Sequence, residues 1–176
     1  LFTAREQRIK PDRDEKILTA WNALMISAFA KGAAVLQDDR YRQIAVDAAT
    51  FIDTQLQKNN RLLSTYKDGT ARLNGYLDDY AFFIAALLDL YEVTHDWHYI
   101  TRAEALMQSL LTHFWDDTSA GFFFTSDDHE TLIVRSKPAG DSSIPSGNAV
   151  ATQALLRLYH YTEQEEYQQR AEAVLQ

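Results

Sequence analysis

The 176-residue chain contains no cysteine, three prolines and six glycines. Without cysteine there is no disulfide framework, thiolate zinc site, iron–sulfur cluster or thiol nucleophile. So little proline and glycine excludes collagen-like repeats and Pro-rich linkers. Cations are also short, with 17 Lys and Arg against 25 Asp and Glu, a formal charge of −8. That balance argues against a duplex-DNA or anionic-membrane surface, since both demand clustered Lys and Arg. No basic stretch leading into an apolar one follows Leu1, so no signal peptide is recognised and a cytoplasmic location is expected. The chain stops at Gln176 inside a helical pattern, and the expectation is an excised piece of a longer protein.

What is present is apolar and helical. Hydrophobic residues make up 46% of the chain and aromatics 12%, which fits one globular domain or part of one and excludes a disordered chain. Residues 18–36 are apolar almost all round, interrupted by Thr19, Asn22, Ser27 and Lys31. Such a stretch belongs to a core or a membrane; Lys31 and Asn22 favour the core. Residues 39–57 are one-sided, with Ile44, Ala48, Phe51, Ile52 and Leu56 on one face and Arg40, Arg42, Asp47 and Asp53 on the other. The alternation then recurs: 77–93 is apolar nearly all round, 98–114 one-sided, 147–161 mostly apolar, and 164–176 one-sided.

Each one-sided segment opens on a similar phrase, DDRYRQIA, DWHYITRA and EEYQQRA, with tyrosines at 41, 99 and 167. This is an internal repeat of helical hairpins. The longer connections have strand-like content. LLSTY and TARL flank the turn Lys67-Asp68-Gly69, a hairpin signal, and GFFFT at 121–125 and TLIVR at 131–135 form a second such pair. The expectation is an all-α domain: an α/α toroid of the six-hairpin type, about half the ring present, with short β-hairpin excursions. A tetratricopeptide-like solenoid is the alternative, but these repeats are far longer than its roughly 34 residues.

In a toroid the inner-helix N-termini open into one funnel, where free N–H groups and helix dipoles favour anionic or hydroxyl-rich ligands. Polar residues gather at all three predicted N-termini. Asp78 and Asp79 are the candidate catalytic carboxylates, though either could serve as a helix cap. Trp21, Asn22, Tyr76, Tyr80, Asp141, Ser146 and Asn148 are the candidate ligand-binding residues. Trp21 could equally be core, and Ser146 is also a good N-cap. Asp79, Trp21, Tyr80 and Asn148 are expected to face a shared cavity. Other motifs fail. Asp116 to Asp127 has the glycine of a calcium loop at Gly121 but lacks the oxygen ligands and final Glu. Ser146-Gly147 is no nucleophile elbow. None of the five histidines falls at a predicted inner N-terminus, and no metal or other cofactor is expected.

DEKILTAWNALMISAFA at 14–30, LDDYAFFIAALLDLYE at 77–92, HFWDDTSAGFFFT at 113–125 and PSGNAVATQALLRL at 145–158 resemble the C-terminal part of the thioredoxin-domain-containing YyaL-type proteins, the spermatogenesis-associated protein 20 family. The resemblance covers nearly the whole chain. It implies a toroid similar to N-acylglucosamine 2-epimerases and six-hairpin glycosidases, preceded in the longer protein by a thioredoxin-like domain and the first half of the ring. Two functions follow as expectations. One is a carbohydrate-active or sugar-binding toroid, epimerase-, isomerase- or glycosidase-like, in which carboxylates supply acid and base. The other is a non-catalytic ligand-binding or redox-partner module attached to the thioredoxin-like domain. The expected partners are a small, sugar-like molecule, the rest of the ring, the thioredoxin-like domain and, for half a ring, a second copy. Nucleic acid and membrane are not expected. Half a ring alone is expected to be inactive, because catalytic groups must be held to within roughly 0.5 Å.

Overall fold

The computed structural model describes residues 1–130 and 133–176. The first 16 residues are exposed and carry the short helix α1 (Phe2–Glu6). Strand β1 (Ile17–Leu18) then runs directly into α2 (Thr19–Leu36), which turns into α3 (Asp39–Gln55). Strands β2 (Gln57–Lys58), β3 (Arg61–Lys67) and β4 (Thr70–Asn74) lead to the second hairpin, α4 (Leu77–Thr94) and α5 (His98–Phe114). After a long connection comes the third, α6 (Gly147–Thr162) and α7 (Glu165–Leu175).

The three hairpins are built alike. Each first helix ends on a residue in the left-handed conformation, Gln37, His95 and Glu163, with φ of 53°, 57° and 55°. Each of these lies four residues before the repeated tyrosine, so the sequence repeat is also a backbone repeat. None is glycine, although glycine is the usual occupant of such a helix end.

Helices α2, α4 and α6 lie side by side as an inner layer, and α3, α5 and α7 back them. α4 packs against α2, α5 and α6, and it is buried almost all round from Leu77 to Leu90. The sequence of 18–36 is apolar almost all round as well, yet α2 is buried on one side only. α2 buries Thr19, Ala23, Ile26, Ala30 and Ala33 but exposes Trp21, Met25, Val35 and Leu36. The reason is position: α4 has an inner helix on each side, and α2 has one only.

The inner helices start at one end of the layer. The carboxylate of Asp79 reaches the N–H of Ala20 at 2.9 Å, which joins the starts of α2 and α4. A Cβ added at Gly147 would lie 2.2 Å from Asp78 Oδ1, so the starts of α4 and α6 are equally close. Inner helices that start together, each backed by an outer one, are the architecture of an α/α toroid.

The first excursion is the expected hairpin. β3 is its central strand and pairs antiparallel with β1, β2 and β4. Lys67 pairs with Thr70 across a turn whose middle residues, Asp68 and Gly69, both have positive φ, as an Asp-Gly turn of type I′ requires. The second excursion is less regular. Trp115 and Phe122 form one isolated bridge, and Phe124 donates its N–H to Ser136 O at 2.8 Å. Of the strand expected at 131–135, Thr131 and Leu132 lie outside the described residues, and Ile133–Arg135 are irregular. Asp116 organises this loop, accepting from Thr118 N, Thr118 Oγ1, Ser119 Oγ and Lys137 Nζ at 2.6–2.9 Å. Those bonds hold its carboxyl well below the usual range.

Candidate functional site

Asp78 and Asp79 occupy the first turn of α4, and the fold treats them in opposite ways. Asp79 is 3% exposed. Its Oδ1 accepts from Ala20 N and its Oδ2 from Tyr76 N, both at 2.9 Å. One carboxylate thus satisfies free N–H groups at the starts of two inner helices, the need that every helix start presents. Burial pushes its pKa up to about 7, against the hydrogen bonds from Tyr76, Ser64 and Ala20, which favour the charged form.

Asp78 is half-buried, and among the described residues its carboxylate accepts no hydrogen bond. It lies against Gly147, the first residue of α6, where only a missing side chain leaves room for it. Burial raises its pKa as well. A carboxylate with unused lone pairs between two helix starts can exchange a proton or accept from a ligand hydroxyl.

The other candidates are mostly engaged by the fold itself. Tyr80 is fully buried, and its hydroxyl accepts from Leu62 N at 3.0 Å and Arg61 Nε at 3.1 Å, which seats β3 on α4. Asn148 accepts from Phe122 N at 2.7 Å and donates to Phe122 O and Pro138 O at 2.9 and 3.0 Å, clamping the second excursion. Asn22 donates to Leu18 O at 2.9 Å. Ser146 caps α6 through Ala149 N, and Asp141 accepts from Ser146 N at 2.8 Å. Among the described residues these contacts do not bring Asp79, Trp21, Tyr80 and Asn148 to the shared cavity expected for them. Asp79 and Tyr80 are buried among backbone and side-chain partners, and Asn148 turns to the second excursion. Trp21 and Tyr76 remain available: Trp21 is 62% exposed, next to Ala20, and Tyr76 is half-buried at the start of α4.

The histidine reading also changes. The second excursion folds back over the start of α4 and places His129 against Tyr76, ring centroids 5.1 Å apart. Tyr76 also stacks on Phe124 at 5.1 Å. His129 belongs to a chain of polar groups. Arg61 binds both oxygens of Asp128 at 2.7 and 3.0 Å, Ser126 Oγ donates to Asp128 Oδ1 at 2.5 Å, and Ser126 Oγ lies 2.7 Å from His129 Nδ1. Burial opposes ionisation of Asp128, but Ser126 and Arg61 hold its carboxyl below the usual range. Nearby, His113 Nδ1 meets Asp127 Oδ1 at 2.8 Å. His113, Asp127 and Asp128 bring ligand-type atoms within 4.8 Å of one another, with Arg61 on both oxygens of Asp128 and His113 on one oxygen of Asp127. Sequence periodicity could not find this group, because Arg61 and Asp128 are 67 positions apart.

No protein-family model matches the chain. It is 34% identical to human spermatogenesis-associated protein 20 over 99% of its own length, and spans about a quarter (24%) of that protein. Among solved structures it is similar to the cellobiose 2-epimerase of Spirochaeta thermophila, with TM-score 0.73 at 18% identity, covering 93% of this chain and 43% of that one. It is also similar to a family 76 α-mannanase of Bacteroides thetaiotaomicron, with TM-score 0.74 at 14% identity, covering 95% and 45%. The fold is thus the α/α toroid of sugar epimerases and glycoside hydrolases, and this chain corresponds to somewhat under half of each.

Proposed function

We propose that this chain is part of a carbohydrate-binding, carbohydrate-processing toroid of the spermatogenesis-associated protein 20 family, with its site where the inner helices start. The observation that carries the reading is Asp78. It is a half-buried carboxylate without a hydrogen-bond partner among the described residues, it lies between the starts of α4 and α6, and burial raises its pKa. Raised carboxylates in such positions serve as acids and bases. Asp78 is the acid–base residue of this proposal, and Asp79 holds the helix starts in place. Trp21 supplies an aromatic face for a sugar ring, and Tyr76 a hydroxyl. The solved toroids named for cellobiose and mannan chemistry support a carbohydrate as the substrate class.

The test is calorimetric titration of the chain with D-mannose and cellobiose, repeated on Asp78→Asn. Binding that Asp78→Asn weakens at least tenfold, with the thermal midpoint kept, is the expected result. Equal binding by both proteins removes Asp78 from the site, and a chain that takes up neither sugar overturns the carbohydrate reading.

A further inference from the structure

His129 is the one chemically versatile side chain at the start of α4 that the proposal above leaves unused. Its protonation can be worked out from its neighbours. Ser126 has one hydroxyl proton. Asp128 is a carboxylate gripped by Arg61 through both oxygens, so it can only accept, and the Ser126 proton goes to it at 2.5 Å. The Ser126 oxygen, 2.7 Å from His129 Nδ1, is then left as an acceptor. Nδ1 must therefore carry the imidazole proton, because two acceptors cannot face each other at that distance. In the neutral ring this leaves Nε2 with a free lone pair. Nε2 is buried and has no partner among the described residues, whereas buried polar atoms in folded proteins are nearly always paired.

We infer that Asp128 and Ser126 fix His129 as the Nδ1–H tautomer, and that its Nε2 is the hydrogen-bond acceptor for a hydroxyl of the polyhydroxylated ligand bound at the start of α4. The ligand hydroxyl reaches it past the half-buried Tyr76 ring, which lies against His129 and offers its own hydroxyl to the same ligand. His129 is thereby a binding residue, Ser126 and Asp128 are positioning residues, and Arg61 anchors the chain of groups to β3. The ligand part rests on the reading given under Proposed function; the tautomer part does not.

Long-range proton–nitrogen correlation spectra of the chain at neutral pH test both parts. For His129 the expected spectrum shows a protonated Nδ1 and a bare Nε2, and Ser126→Ala, which removes the acceptor, shifts the ring toward the other tautomer. Asp128→Asn gives a second variant should Ser126→Ala unfold. A protonated Nε2 in the unsubstituted chain overturns the inference. Titration with D-mannose and cellobiose then separates the two readings. Movement of the His129 Nε2 signal together with the Trp21 indole supports the ligand role. Movement of Trp21 alone overturns that role and leaves the proposed site standing. Movement of neither overturns both, whatever the tautomer.

Discussion

Asp79 hydrogen-bonds the N–H of Ala20, 59 positions earlier in the chain, while its other oxygen bonds Tyr76 N, just before its own helix. Replacing it with Asn sets an amide NH2, which cannot accept, against one of the two N–H donors, where even a protonated carboxyl keeps an acceptor lone pair on each oxygen. Asp79→Asn is expected to lose about 1–3 kcal/mol of stability, the cost of a buried donor left unpaired, read from urea unfolding near pH 4.5. A change under about 0.5 kcal/mol would show that the two bonds contribute nothing net.

The same carboxyl sets a pH dependence. Its folded-state pKa, about 7, lies above its ordinary 3.8, so the folded chain binds this proton more tightly than the unfolded chain. Its contribution to stability is full below about pH 4 and is lost as the pH rises through about 7. Asp79→Asn therefore flattens the stability profile between those limits, and its cost shrinks toward pH 8. Parallel profiles for the two proteins would contradict this.

Gly147 has no space for a side chain. A Cβ there would lie 2.2 Å from Asp78 Oδ1 and 2.9 Å from Leu77 Cγ. Gly147→Ala is expected to cost about 1–3 kcal/mol, as overpacking does. In an Asp78→Ala background the cost is smaller, because the nearest obstacle has gone and Leu77 is the next. A double-mutant cycle measures the difference, and strict additivity would mean that the two residues do not touch.

The left-handed helix ends at Gln37 and Glu163 are exposed and non-glycine. Each carries strain that glycine relieves, partly offset by the greater freedom of glycine in the unfolded chain. Gln37→Gly and Glu163→Gly are each expected to stabilise by about 0.5–1 kcal/mol in thermal unfolding, and to add when combined. Destabilisation by either would show that the side chain holds the turn.

Trp21, Met25 and Val35 form an exposed apolar stripe along α2, and large exposed apolar stripes mark association surfaces. The chain is expected to self-associate, with two copies lining up inner helices into a longer arc. Met25→Lys should reduce it. Sedimentation equilibrium reads the outcome, and a monomer at all concentrations rules it out.

Much of this architecture was legible in the chain, and the limits have physical causes. Alternating helix character and the tyrosines at 41, 99 and 167 marked three hairpins, and Asp68-Gly69 marked the β-turn. The hairpin ends at 37, 95 and 163 carried no glycine signal, so their shared conformation was invisible. The apolar run of α2 showed what the helix could bury, and only the arrangement of neighbours decides what it does bury. The paired carboxylates were visible, but their division of labour depends on the Ala20 N–H arriving from a distant segment. The His129 group was hidden for the same reason, since a long irregular loop assembles it over residues of β3 and α4.

The central position of α4 also orders the local stability of the chain. In an array where each helix is held mainly by its neighbours, opening proceeds from the ends. Within this chain α2 packs against one inner helix and α4 against two, so the amides of α2 are expected to exchange with solvent through smaller, more frequent openings. Those of α4, enclosed on both sides, exchange only when the whole array gives way. Within this chain the helix that carries Asp78 is therefore expected to open last, which would give the proposed acid–base residue a rigid base.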